Sequence, residues 1–141
     1  MKINLLSILL FAFFTLTNCK KENTSSSESL TAKTWKRALN DLNTSSNPSG
    51  SVIYYAVQNC EKDDTFKFGV DSKLEINKNS DKCDQNENQN STQTYTLNRT
   101  TKEFIINGTK FTLAEESNNQ IKYYEIVPSN TGFEYIIFLL Q

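Results

Sequence analysis

The sequence predicts an all-β fold, a small antiparallel up-and-down β-barrel of about eight strands. Short segments with alternating apolar and polar residues recur along the chain, and this alternation is typical of strands with one buried face. Clusters of Asn, Ser, Asp, Gly and Pro separate the segments at regular intervals, as turns do in all-β proteins. Asn107-Gly108, between two apolar segments, is the preferred sequence of a two-residue hairpin turn. A β-sandwich is the alternative architecture for the same pattern.

The first residues have the pattern of an export signal. Met1-Lys2 is a short positive start, and residues 3–16 are almost wholly apolar, which suits a signal-peptide core but is too short to span a bilayer. Leu16-Thr17-Asn18-Cys19 follows and resembles the lipobox of bacterial lipoproteins. We therefore predict a signal peptide over residues 1–18, lipidation of Cys19, a flexible tether over residues 19–29 and a folded domain over residues 30–141. An ordinary secretory signal with a chance cysteine is the alternative.

The predicted lipid also predicts a location. Two or more acyl chains hold a protein stably at a membrane, so the membrane is the first expected partner. Lys20 follows the cysteine, where Asp often marks retention at the inner membrane in related systems. We expect a cell-envelope protein anchored by lipid in the outer membrane, on either the periplasmic or the surface face.

The domain is expected to begin with a short turn and a strand. Residues 30–32 suit a turn of helix, and residues 34–39 suit a first strand that carries Trp35, the only tryptophan. Residues 40–51 are dense in turn formers and predict a loop. Residues 51–58 are rich in apolar residues without a clear period, which leaves strand and short helix both open.

Two cysteines enclose the next predicted hairpin. Assigning Cys19 to lipid leaves Cys60 and Cys83, which we expect to form a disulfide in an exported protein. Between them, alternation places Phe66, Phe68 and Val70 on one face of a strand. After the Asp71-Ser72 turn, Leu74 and Ile76 are expected to face inward.

The second half of the domain repeats the strand pattern. Residues 78–91 are polar and predict a loop, residues 94–97 a strand, and residues 104–111 a hairpin in which Phe104 lies opposite Phe111. Residues 121–127 and 133–140 predict the last strands. The final strand is apolar on both faces, so we expect a layer that covers it outside the sheet.

One part of the sequence resembles a known family. It consists of Trp35, the run Cys60-Glu61-Lys62-Asp63-Asp64-Thr65-Phe66-Lys67-Phe68, Asp71, Leu74, Ile76 and Cys83. With the lipobox and the polar tether, these residues resemble the bacterial lipocalin-like domain lipoproteins. The resemblance implies a small calycin-type barrel.

The composition argues against several functions. Histidine is absent, which excludes Ser-His-Asp and Cys-His catalysis. Asp63 and Asp64 are adjacent on a predicted strand, so their carboxylates should point to opposite faces. Asp84-x-Asn86-x-Asn88 resembles the start of a calcium loop but lacks its glycine and its final glutamate. The formal charge of −1 offers no basic face for nucleic acid. We therefore predict a monomer that is not an enzyme and has no cofactor, no metal and no nucleic-acid partner.

The aromatic residues are the feature with binding potential. A barrel of this size is either filled by its own side chains or holds one small ligand, and this many rings favours a filled interior. We expect any small apolar or amphipathic ligand to bind in the barrel or at its mouth. The candidate ligand-binding residues are Tyr54, Tyr55, Phe66, Phe68, Tyr95, Phe104, Phe111, Tyr123, Phe133 and Tyr135. The alternative is a protein-binding module, such as an inhibitor of an envelope hydrolase, that acts through the loops at residues 40–51 and 78–91.

Overall fold

The computed structural model describes residues 29–141, without the side chain of Ser129. The predicted signal peptide, Cys19 and nearly all of the tether lie outside these residues. Nine strands form the fold: β1 Thr34–Lys36, β2 Val52–Tyr54, β3 Thr65–Phe68, β4 Lys73–Asn77, β5 Asn90–Asn98, β6 Glu103–Ile106, β7 Thr109–Glu116, β8 Ile121–Ile126 and β9 Tyr135–Leu140. Three short 3₁₀ helices accompany them: Thr44–Ser46, Asn59–Glu61 and Ser129–Thr131.

The strands form one curled, mostly antiparallel sheet. Its order is β1-β3-β4-β5-β6-β7-β8-β9-β2, so the chain from β3 to β9 runs up and down between neighbours. The predicted all-β class and the up-and-down connections are confirmed. The sheet has nine strands instead of about eight, and β2 pairs with β9 in parallel, which the sequence did not indicate.

The two ends of the sheet meet beside β9. After Lys36 the chain leaves β3, and Arg37 forms an antiparallel bridge with Leu140. The Lys36 amide donates to the Gln141 carbonyl and the Gln141 amide to the Lys36 carbonyl, both at 2.9 Å. The free edge of β9 is therefore shared, with β2 along its first half and the continuation of β1 along its end.

The core lies on the inner face of the curled sheet. Trp35 and Phe104 are completely buried there, and the Trp35 indole donates a hydrogen bond to the Leu30 carbonyl at 2.8 Å. Residues 29–33 form a turn that carries Leu30 beneath the tryptophan. Ser29, which was placed in the predicted tether, is already buried and donates to the Asn118 side chain.

The Asn107-Gly108 hairpin forms as predicted. Ile106 pairs with Thr109, and Phe104 pairs with Phe111. Asn107 and Gly108 have φ values of 48° and 82°, as a type I′ turn requires. Here the turn sequence and the apolar pattern agree on one register, and the structure has that register.

Two predicted boundaries were wrong. Val70 does not continue the inner face of Phe66 and Phe68, because β3 ends at Phe68 and Val70 lies in the turn with 93% of its surface exposed. The loop predicted over residues 78–91 ends earlier, because Asn90 and Ser91 already pair with Asn77 and Ile76. Because the side chains of Asn90 and Ser91 are polar, the sequence did not indicate a strand there. The strand forms because their backbone pairs with the edge of β4.

The last strand is buried on both faces, as its sequence predicts. Leu139 and Leu140 are adjacent and almost fully buried, although they point to opposite sides. Part of the outer cover is the loop between β1 and β2, whose segment at residues 41–47 folds over the outer face of β8. Beneath this loop lies Lys122, whose ammonium group is completely buried.

Candidate binding cavity

The inner side chains of β3 and β4 change from apolar to charged along each strand. On β3, Phe68 and Phe66 face the core, and Asp64 occupies the next inward position before the strand. On β4, Leu74 and Ile76 face the core, and Lys78 takes the next inward position after the strand. Since Phe66 pairs with Ile76, the two charged positions are neighbours across the sheet. One end of the interior is thus apolar and the other carries charge.

A cavity of about 350 Å³ lies over this change. Its size falls within the roughly 300–1,000 Å³ of small-molecule sites. The apolar lining consists of Phe66, Phe68, Leu74, Ile76, Ile106, Phe111, Tyr123 and Phe138. The polar lining consists of Arg37, Glu61, Asp64, Lys78, Gln93, Asn107 and Thr109. We expected an interior filled by side chains, but the structure leaves this space open beside the rings.

The structure brings part of the predicted aromatic set to the cavity. Phe66, Phe68, Phe111 and Tyr123 line it directly. Tyr95 lies behind Phe68, edge to face with ring centroids 5.0 Å apart.

Two further members of the set support lining rings from outside the cavity. Phe104 is buried edge to face against Tyr123, with centroids 5.3 Å apart. Tyr55 stacks on Phe138 at 5.0 Å.

The remaining predicted residues lie away from the cavity. Tyr54 is 36% exposed, and its hydroxyl bonds with Asp41 and Asn47. Phe133 is 38% exposed, and Tyr135 packs edge to face against Tyr124. Tyr54 and Tyr135 belong to β2 and β9, which pair with each other, and Phe133 precedes β9; alternation alone does not indicate which face is covered here.

Arg37 is one of the cavity residues that the sequence interpretation missed. Its guanidinium carbon lies 4.8 Å from the centroid of the Phe66 ring and 5.1 Å from that of Tyr55. A nitrogen of the group donates to the Tyr123 hydroxyl at 3.0 Å. The spacing could have revealed it, because Arg37 lies two residues after the buried Trp35 and so shares its inward face.

The opposite part of the rim carries an ion pair. Lys78 lies 3.2 Å from Asp64 and 3.5 Å from Glu87. Burial raises the pKa of Asp64, and Lys78 offsets only part of that effect. Burial acts to lower the pKa of Lys78, but Asp64 and Glu87 outweigh it and the pKa is raised. The other oxygen of Asp64, Oδ1, is buried without a hydrogen-bond partner among residues 29–141.

Glu61 completes the charged rim. It accepts hydrogen bonds from the Tyr55 hydroxyl at 2.8 Å and from the Gln58 amide at 2.9 Å. Burial raises the pKa of Tyr55, and so do its hydrogen bond to Glu61 and the negative charge of that carboxylate. The tyrosine therefore stays neutral at physiological pH and holds the carboxylate in place.

The predicted disulfide is confirmed and holds the segments that carry the rim. Cys60 and Cys83 join the 3₁₀ helix Asn59–Glu61 to the segment after β4, with Cα atoms 5.2 Å apart. Asp63 points away from Asp64 and accepts hydrogen bonds from the Ser80 and Asp81 amides. Asp63 therefore has a structural role, because it binds the segment after β4 to the start of β3.

The part of the chain that the structure describes has neither a cluster of metal-ligating side chains nor a membrane-spanning helix. Within residues 29–141, no group of three or more His, Cys, Asp or Glu side chains is arranged to hold a metal ion. The same part of the chain contains no helix long and apolar enough to cross a membrane.

Comparison of the chain with protein-family models, curated proteins and solved structures found no match.

Proposed function

We propose that the protein is a lipid-anchored envelope protein whose lipocalin-like barrel binds one small amphipathic molecule in the cavity. The observation that carries the proposal is the change along β3 and β4 from apolar side chains to the charged pair Asp64 and Lys78. An apolar segment of a ligand would bury its surface against the rings, and its polar end would meet the rim. Burial of apolar surface at roughly 25 cal/mol per Å² drives such binding.

Native mass spectrometry of the full chain, isolated from the envelope of the bacterium that expresses it, tests this function. We expect a bound molecule of small mass in addition to the protein. Ile106 lines the cavity, so Ile106→Trp should fill it and remove the bound mass.

Ile105 provides the matched control, because it lies next in β6 and pairs with Lys110 on the other face. Ile105→Trp should retain the bound molecule. Equal retention by both variants, or no bound molecule in the unsubstituted protein, would contradict the proposed function.

A protein-binding module remains a second candidate because of an apolar patch outside the sheet. Leu39 is 63% exposed and lines, together with Tyr54 and Val57, a shallow pocket of about 180 Å³. A photo-crosslinking residue at position 39 should capture an envelope protein if this patch is the functional surface. The control places the photo-crosslinking residue at position 70, because Val70 is exposed in a different turn. This variant should capture no envelope protein.

A further inference from the structure

Arg37 is a cation in the cavity that has no anionic partner within residues 29–141. Among residues 29–141, no carboxylate lies within ion-pair distance of its guanidinium group. Its Nε atom is buried and has no hydrogen-bond partner in that part of the chain. Removing a charge from water without pairing it is unfavourable. The stability of the fold therefore does not explain why an unpaired cation lies at this position.

The surroundings hold the guanidinium group in a fixed orientation. The rings of Phe66, Tyr55 and Phe138 surround it, with the last centroid 5.7 Å away. Contacts between a cation and ring faces compensate part of the lost hydration. Such contacts engage the face of a guanidinium group, whereas its N–H donors lie along its edge. A guanidinium held in this way matches the planar, two-point geometry of a carboxylate or phosphate.

Tyr123 adds a second donor beside the guanidinium. Its hydroxyl oxygen accepts from Arg37 at 3.0 Å, which leaves the hydroxyl hydrogen to donate to a neighbouring acceptor. Burial raises the pKa of Tyr123, so the hydroxyl keeps this hydrogen at physiological pH. Both residues line the cavity, so both donors can serve one head group.

Lys78, the other cation of the rim, is less available for an anion. Asp64 and Glu87 lie 3.2 Å and 3.5 Å from its ammonium group and neutralise it. Glu61 and Asp64 also repel an anion that approaches that side of the rim. The local charge therefore favours the Arg37 side.

We propose that Arg37 and Tyr123 bind the anionic head group of the ligand, and that the ligand is a single-chain amphiphile with a carboxylate or phosphate head and an apolar tail. This inference rests on the proposed function, because it specifies the ligand class of the same cavity. The tail lies against the rings of β3 and β7, and the head group forms the ion pair that Arg37 lacks. Arg37 is thus a specificity-determining residue, and the apolar lining provides the rest of the affinity.

A competition experiment tests the head group. The full chain is incubated with equal concentrations of dodecanoate, dodecyl phosphate, dodecanol and dodecylammonium, and the bound species are counted by native mass spectrometry. We expect an acidic species to occupy the protein at least about tenfold more often than dodecanol, as hydrogen bonds to a charged group imply. The two acids distinguish the carboxylate from the phosphate.

Two substitutions connect the preference to Arg37. In Arg37→Gln the preference should fall to near equality, while dodecanol binding persists. Lys36→Gln is the matched control, because Lys36 is the adjacent cation on the exposed face and the preference should be unchanged. Should Arg37→Gln unfold, Arg37→Lys retains the charge without the planar fork and should lower the preference in a folded protein.

The outcomes separate this inference from the proposed function. Equal binding of acids and dodecanol by the unsubstituted protein, or a preference for dodecylammonium, would overturn the inference and leave the proposed function standing. Binding of none of the four amphiphiles would overturn the inference, whereas the proposed function is decided separately by the protein isolated from the envelope. A preference that survives in Arg37→Gln would also overturn the assignment to Arg37.

Discussion

Lys122 shows how a single buried residue can organise a loop. Its ammonium group donates to the Asn43 carbonyl, to Ser46 Oγ at 2.9 Å and to Asn47 Oδ1 at 2.8 Å, and lies 2.8 Å from Asp41. These contacts satisfy a cation that has no access to solvent. The burial of Lys122 could not be predicted from the strand pattern, because alternation carries no information about a loop that folds over one face of the sheet.

Replacing Lys122 by Met should destabilise the protein strongly. Asp41 would lose its counter-ion while its side chain remains 4% exposed, and breaking a buried pair costs about 3–5 kcal/mol. Urea denaturation measures the change in unfolding free energy. Lys110→Met is the control, because Lys110 forms an exposed ion pair with Glu103 on the neighbouring strands and should change stability by less than about 1 kcal/mol. Similar losses in the two variants would show that the buried pair contributes no more than a surface one.

Asp41 should make stability depend on pH in the acid range. Burial acts to raise its pKa, but hydrogen bonds from Lys122, the Asn43 amide, Tyr54 and Gln120 outweigh burial and lower the pKa below its ordinary value of 3.8. A lowered folded-state pKa stabilises the fold above the unfolded-state pKa, and this contribution disappears as pH falls through the lower folded value.

Acid titration of stability checks this prediction by comparison with Asp41→Asn. The difference in unfolding free energy between the two proteins should be largest near neutral pH and shrink below about pH 4, near the ordinary pKa. Other carboxylates titrate in both proteins, so the comparison isolates Asp41. A difference that is constant down to pH 2 would contradict the assigned pKa direction.

At the scale of elements, local patterns predicted most of what is local. The Asn107-Gly108 turn set the register of β6 and β7, and the spacing of Phe66, Phe68, Leu74 and Ile76 set the inner faces of β3 and β4. The sequence did not decide between strand and short helix for β2, and it did not predict the pairing of β2 with β9. A strand of three residues is too short to show a period, and β9 is distant in sequence. Most of the apolar lining of the cavity could be predicted, because local alternation shows which side chains of a strand face inward. Its charged rim could not, because it forms where strands end and chain segments meet.

The Cys60–Cys83 bond is expected to stabilise the region of the rim without creating it. The sequence separation of 23 residues implies a loss of about 3 kcal/mol on removal, because the bond restricts the unfolded chain. We expect the double variant Cys60→Ser/Cys83→Ser to unfold at correspondingly lower urea. Acid binding should persist in the folded double variant, because Arg37 is held by other strands.

Reduction of the unsubstituted protein is the matched control for this loss. Dithiothreitol should lower its stability to that of the double variant and leave the double variant unchanged. A loss in the double variant that reduction does not reproduce would point to the serines rather than to the bond.

At the scale of the whole molecule, the sheet depends on contacts between its distant ends. The all-β class followed from alternation and turns, but the joint between residues 36–38 and 139–141 did not, since no local pattern links segments about a hundred residues apart. The bridge from Arg37 to Leu140 also brings the guanidinium group beside the ring of Phe138. The joint between the ends of the sheet therefore positions one side of the cavity.

Hydrogen exchange can detect this joint directly. The amides of Lys36, Ala38 and Gln141 donate to carbonyls across the joint at 2.9, 3.1 and 2.9 Å. We expect them to exchange as slowly as the amides of β7 and β8, because opening them requires opening the sheet. The amide of Gln85, in the exposed segment after the disulfide, should exchange fast. Fast exchange at Lys36, Ala38 and Gln141 would show that the two ends separate in solution.

The same joint has a consequence for the rate of folding. The side chain of Gln141 donates to the Asn40 carbonyl across a sequence separation of 101 residues, so some native contacts close a very long loop. Closing such loops is entropically costly, and proteins with many distant contacts fold in milliseconds to seconds rather than microseconds. The β6–β7 hairpin can form early, whereas Arg37 reaches its place only when the ends meet. Acid binding should therefore develop with the slowest folding phase, and its time course would report when the two ends of the sheet join.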